Sequence, residues 1–194
     1  EPESIMCATK ASGNWKTHLF VQPKDTLKEI WEGRRPGLEG AEKDWPVDQA
    51  HSIDDVESTL IDTLIKTQNE YQCSLVSPKM MYFNSPNCIW YAGSWFKKNK
   101  GYLPLHRGIN ELDRGQYDEV LEVDYAPTCC LLVKKQVFKD IGMMDEKYFV
   151  YFDDTDFSFR ILKDGRHKIF YCPYVKLFHK VGTLTKSFYK HFKS

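Results

Sequence analysis

Hydrophobic positions fall into regular groups from His51 onward and into none before it. Val56, Leu60, Ile61, Leu64 and Ile65 recur at i, i+4 and i+5, as one buried helical face would, and predict a helix over 53–69. Ser52 with Asp55 three residues on has the spacing of a capping box, Asp standing where Glu is usual. Residues 73–76 and 80–83 are apolar runs separated by Ser77-Pro78 and read as two strands. A turn follows at 84–87 by its Asn, Ser and Pro content, then a strand at 88–92 and a basic loop at 93–101. Residues 105–117 contain two glycines and no amphipathic period, so they form a binding loop or a mobile connector, with His106, Glu111 and Asp113 as potential ligands. Strands are expected at 122–126 and 129–133 around a Pro-Thr break, and a helix at 134–141 closed by Gly142. Phe157, Ile161 and Leu162 mark a helix over 154–163 ended by Asp164-Gly165. Strands follow at 168–171, stopped by Pro173, and at 175–178.

Residues 1–50 carry Trp15, Trp31 and Trp45 in a polar background punctuated by Gly and Pro. They predict a short helix over 25–31, no period-two run and no phosphate-cradling glycine pattern, hence a loosely structured or accessory segment. The chain therefore divides into 1–50 and 51–194. The alternation of strands and helices in the second part implies an α/β domain with a mixed sheet.

Composition narrows the function classes. A chain of 194 residues fits one domain, or one and a fraction, with a real core. Formal net charge is zero, so bulk charge implies no nucleic-acid partner. No apolar run is long enough to span a bilayer, and nothing resembles a signal peptide. The basic, aromatic end at 186–194 is expected to be a frayed helix, at most touching a membrane surface. Six cysteines without a CxxC pair point to reduced thiols and a cytoplasmic protein.

Candidate chemistry concentrates in YFVYFDDTDFSFR, residues 148–160. Asp153, Asp154 and Asp156 follow four aromatic residues at once. Bunched carboxylates beside apolar rings displace a pKa, as a general base or metal site needs. Acids at a helix start also cap free N–H groups and suit the helix dipole, so both readings stay open on this stretch alone. It lacks the alternating acids, central glycine and terminal Glu of an EF-hand.

Several pieces together resemble a known family. SLVSPKMMYF, IWYAGSWF, HRGINELDRGQY, VDYAPTCCLLVKKQVFKDIG, MMDEKYFVYFDDTDFSFR, DGRHKIFYCP and VKLFHKVGTLT, in this order, are similar to the acceptor-side half of family-two glycosyltransferases of the GT-A fold, rhamnosyltransferase-like enzymes of bacterial surface-polysaccharide synthesis. The resemblance implies an inverting transfer from a nucleotide-sugar donor to a glycan or lipid-linked acceptor, at the inner face of the membrane, with a homo-oligomer admitted. It implies Asp154 as the base, with Asp153 beside it. Thr128, Cys129, Asp156 and Arg160 would lie at the acceptor, Asp156 and Arg160 pairing at i, i+4. His179 would be a ligand of Mn²⁺ or Mg²⁺ on the donor diphosphate. Asp55 is the weaker metal candidate, because helix capping accounts for it better. Residues 1–50 do not show the donor half of such an enzyme. The alternative is a non-catalytic fragment or glycan-binding remnant without a donor site.

Overall fold

The computed structural model describes residues 5–11, 13–22, 24, 37–45, 47–52, 55, 60–148 and 152–181. Strands β1 (Ile5–Ala11) and β2 (Asn14–Val21) form an antiparallel hairpin, with Ala11 opposite Asn14. So short a connection needs a positive φ, which Gly13 supplies at 87°. Helix α1 (Gly37–Asp44) leads to β3 (Gln49–Ser52), parallel to β2, and α2 (Asp62–Glu70) leads to β4 (Leu75–Tyr82). Then come β5 (Ser85–Tyr91), β6 (Ser94–Lys97), β7 (Leu103–His106), β8 (Leu121–Val123) and β9 (Leu132–Val133). Helices α3 (Lys135–Ile141) and α4 (Asp153–Asp164) precede the long last strand β10 (Ile169–His179).

The main sheet runs β3-β2-β1-β10-β4-β5, with β8 on β10 and β9 on β4, and β6–β7 stands apart as a hairpin. Strand β4 is buried along almost its whole length, as expected of a central strand covered on both faces. Leu75, Met80, Ile89, Tyr91 and Tyr171 pack with Phe157 and Ile161 of α4 into the larger core. Cys7, Phe20, Leu64, Val76, Cys172 and Val175 make a second core that joins the N-terminal hairpin to α2. All six cysteines are free thiols.

The α/β class and the mixed sheet match expectation, as do the helix stops at Gly142 and Gly165. Four expectations are corrected. The segment before residue 50 is not loosely structured where described, since it supplies two strands of the main sheet and the start of a third. Neither Pro78 nor Pro173 ends a strand. Pro78 falls between the ladder to β9 at 75–76 and the ladder to β5 from Met80, and the β4–β10 register shifts between Cys172 and Lys176, so no bond is asked of either proline nitrogen. The basic loop at 93–101 is mostly strand β6 and a 3₁₀ turn. Ser52 lies in β3, and α2 begins at Asp62 without a side-chain cap, so the Ser52/Asp55 capping box does not start it. The 25–31 helix and the 186–194 end lie outside the described residues.

Lys79, fully buried on β4, ties the layers together. Its ammonium donates to Asp113 at 3.1 Å and to Asp118 at 2.7 Å. Asp118 also accepts from Lys10 of β1 at 2.8 Å, and Asp113 pairs with Lys176 of β10 at 2.8 Å. Burial pushes both carboxyls up, but the lysines outweigh it and hold each below the ordinary carboxylate range. Depressed carboxyls contribute stability above their unfolded pKa of about 4, lost as pH falls through the folded values. Lys79→Ala is therefore expected to cost about 3–5 kcal/mol in urea denaturation at pH 7 by stranding buried carboxylates. It should also flatten the loss of stability below about pH 4. Lys10→Ala, at a partly exposed pair, should cost under about 1 kcal/mol.

Candidate functional site

Four elements meet around the start of α4. The helix opens with Asp153, Asp154 and Asp156 in its first turn, where acids complement the dipole. It is preceded by Phe152, an exposed aromatic held at φ 67°. Tyr125, just past β8, donates its hydroxyl to Asp154 Oδ2 at 2.7 Å, and Thr155 Oγ1 donates to Asp154 Oδ1 at 3.3 Å. Burial, then the neighbouring Asp154, push the Tyr125 phenol far up, so it stays protonated and keeps donating.

His106, at the end of β7, stacks on Tyr125 with ring centroids 5.6 Å apart and meets Trp90 edge-on at 5.2 Å. Its Nδ1 lies 3.3 Å from the Trp90 carbonyl, which only accepts, so Nδ1 carries the proton and Nε2 is the basic nitrogen. Burial pulls the His106 pKa down, against smaller upward effects from that carbonyl and Asp154, so the ring is neutral at pH 7. His179, at the end of β10, lies 4.6 Å from Trp90, and burial lowers its pKa as well. The cluster thus joins an acid oxygen fixed by a phenol, a neutral imidazole and an indole ring. Such a set can take a hydrogen bond or a proton from a bound group and pack against its apolar part.

The sequence-predicted residues separate into those in this cluster and those beside it. Asp154 is at its centre, with Asp153 in the same helical turn. Cys129 is exposed as a residue, yet its thiol turns onto Met80 Sδ at 3.3 Å; burial, then Cys130 and Asp154, push it up to about 12, which leaves an unreactive thiol. Thr128 sits in the turn that carries Cys129. Asp156 and Arg160 form the expected i, i+4 pair at 2.8 Å. Arg160 also donates to the carbonyls of Ile141 and Met143, so the pair fastens α4 to the end of α3 rather than reaching for a ligand.

Among the described residues no three His, Cys, Asp or Glu side chains come together to hold an ion. His179 packs on Trp90, and Asp55 is an exposed residue. Tyr125 and Trp90 were not foreseen as site residues. The available signal was that a buried tyrosine hydroxyl needs a partner, and a helix-start acid is one.

The family model for the aminopeptidase P N-terminal domain matches residues 1–71. Xaa-Pro aminopeptidase of Haemophilus influenzae is 35% identical over 60 residues, covering 31% of this chain and 14% of that protein. Intermediate cleaving peptidase 55 of Saccharomyces cerevisiae is 35% identical over 63 residues, covering 31% of this chain and 12% of that protein. The matched relatives are peptidases. Among solved structures, proline aminopeptidase P II from Yersinia pestis shares 34% identity over 33% of this chain and 15% of its own, at a TM-score of 0.30. Zn-substituted Escherichia coli aminopeptidase P in complex with product shares 31% over the same fractions, also at 0.30. The chain spans less than a sixth of each of these proteins.

These findings overturn the glycosyltransferase identification. With it go the GT-A label, the transferase class, the polysaccharide role, the nucleotide-sugar donor and the glycan or lipid-linked acceptor. The matched residues build β1 to β3, α1 and α2, whereas Trp90, His106, Tyr125, Asp154 and His179 all lie beyond them.

Removing the phenol donor should loosen the cleft without emptying it of structure. Tyr125→Phe is expected to lower unfolding stability by about 1–2 kcal/mol in urea titration, because Asp154 loses its donor but stays partly hydrated. A loss well above that would assign Tyr125 a larger packing role than its hydrogen bond.

Proposed function

We propose that this chain serves as a non-catalytic, N-terminal portion of a peptidase of the Xaa-Pro aminopeptidase kind, acting on peptides. The observation that carries the reading is the aminopeptidase P N-terminal domain match over residues 1–71. The 35% identity to a named Xaa-Pro aminopeptidase over 60 residues supports it. In this reading the divalent metal belongs to the catalytic remainder of such a protein. The described residues here have no ligand set to hold one.

The cleft has a place in the same proposal. Asp154, oriented by Tyr125, accepts a hydrogen bond from a peptide amino group, and Trp90 with His106 gives an aromatic wall of the kind that proline rings pack on. Asp153 adds negative charge at the same helix turn, which favours an ammonium group.

A segment exchange tests the family reading. Residues 1–71 replace the matched stretch of the Haemophilus influenzae enzyme, and hydrolysis of an Xaa-Pro peptide is followed. Retention of at least about a tenth of the parent rate is expected, since a compatible segment costs the chimera only packing adjustments. A folded chimera without activity, beside an active exchange from the yeast relative, would refute the reading. The cleft is tested separately with an Ala-Pro-Ala peptide and its N-acetylated form in calorimetric titrations. The free amine should bind and the acetylated form should not. Asp154→Asn should weaken binding by about tenfold, the worth of one charge-assisted contact.

A further inference from the structure

We infer that the cleft between the β6–β7 hairpin and the outer face of α4 is a binding site for a small organic anion with a flat aromatic body. Its lining shares no residue with the Asp154 cluster. It holds about 330 Å³, within the range of small-ligand pockets. Its apolar part is Phe96, Tyr102, Phe159 and Leu162. The rings are set edge to face, Phe96 to Phe159 at 5.5 Å and 88°, Tyr102 to Phe159 at 5.1 Å and 70°. A further flat group can join such rings edge to face or offset-stacked.

Two features of the surround point to a ligand rather than to a packing gap. Tyr102 is held at φ 59°, a conformation that L side chains rarely adopt, directly after Gly101 at 65°. The strained backbone turns a large ring onto Phe159, although Tyr102 and Leu162 remain 38% and 42% exposed. The Tyr102 ring closes one side of the cleft.

Charge then sets the ligand class. Lys98 and Lys163 stand at the rim, both exposed, and neither takes part in an ion pair among the described residues. The Lys163 ammonium lies 5.4 Å from the Phe159 ring centroid, so its stem already runs along the apolar wall. Asp124, the acid of the lining, is half-buried and committed to the Phe96 backbone N–H at 3.1 Å. An anionic group is therefore repelled inside and attracted at the mouth. The ligand enters with its aromatic body inward and its carboxylate or sulfonate between the two lysines.

The probe is 1-anilinonaphthalene-8-sulfonate, an anion with an aromatic body, beside the uncharged N-phenyl-1-naphthylamine. The intact chain should bind one equivalent of the sulfonate with enhanced fluorescence. Lys98→Gln with Lys163→Gln should weaken that binding by about tenfold, as two partly exposed ion pairs allow, and leave the neutral probe unaffected. Tyr102→Gly, which glycine accepts at this φ, should weaken both probes. Unchanged sulfonate binding in the lysine pair variant would overturn the proposal. So would binding of several equivalents, or a Tyr102→Gly variant that binds both probes as before.

Discussion

A single buried cation sets the terms for this fold. Lys79 has no exposed side-chain surface, sits on the central strand, and is satisfied by Asp113 and Asp118 from one loop. Those acids in turn hold Lys176 of β10 and Lys10 of β1, and Trp15 covers the outer lysines, its ring 3.8 Å from the Lys176 ammonium and 5.7 Å from Lys10. Buried ion pairs gain little net stability over apolar packing of the same shape, but breaking one is costly. The cluster therefore acts on arrangement. It admits one seating of the loop over the sheet and one seating of β1 beside β10.

That seating positions the Asp154 cleft as well. The loop that supplies Asp113 and Asp118 begins at His106, and its first residues have no freedom to drift. Arg107 lies 4.7 Å over the Tyr117 ring and donates from Nε to the Ala92 carbonyl at 2.7 Å. Gly108 sits at φ 75° with Tyr117 so close that a Cβ there would come within 2.6 Å of the ring. His106 is thus fixed from behind. Its stacking on Tyr125, and the hydrogen bond from Tyr125 to Asp154, are consequences of a loop pinned elsewhere.

Legibility in the sequence followed how local each signal is. Gly142 and Gly165 end their helices at positive φ, a property of the glycine itself, and both stops were readable. The passage of β4 and β10 through Pro78 and Pro173 was not, because what spares those nitrogens is a gap between neighbouring ladders. The N-terminal hairpin was hidden for a related reason. Its paired positions include Lys10, met by Asp118, and His18, which is buried against His51 and Thr9, so polar letters stand where a strand reading wants apolar ones. At the Asp154 cluster, Asp154 was readable from its own helix and His106 as a potential ligand of its loop, whereas Tyr125 and Trp90 arrive from two other segments. The glycosyltransferase resemblance rested on the order of short aromatic and acidic motifs across 61–184, while the measured similarity lies in 1–71, where no motif had been recognised. Short motifs of that kind describe how a strand delivers acids to a helix, and that geometry recurs across unrelated chemistries.

The segment matched at 1–71 and the Asp154 cluster share no residue, but both meet strand β10. Strand β10 pairs with β8 at 169–171, shifts register after Cys172, and pairs with β1 at 175–177. Two residues further on, His179 closes the cleft against Trp90. The place of that ring follows from the register of Leu177 on Cys7, which the second core and the Lys10–Asp118 pair hold in place. A change in how the N-terminal hairpin seats is therefore a change in the wall of the cleft, carried along one strand. Whatever the two parts do, they cannot move independently while Lys79 keeps its carboxylates.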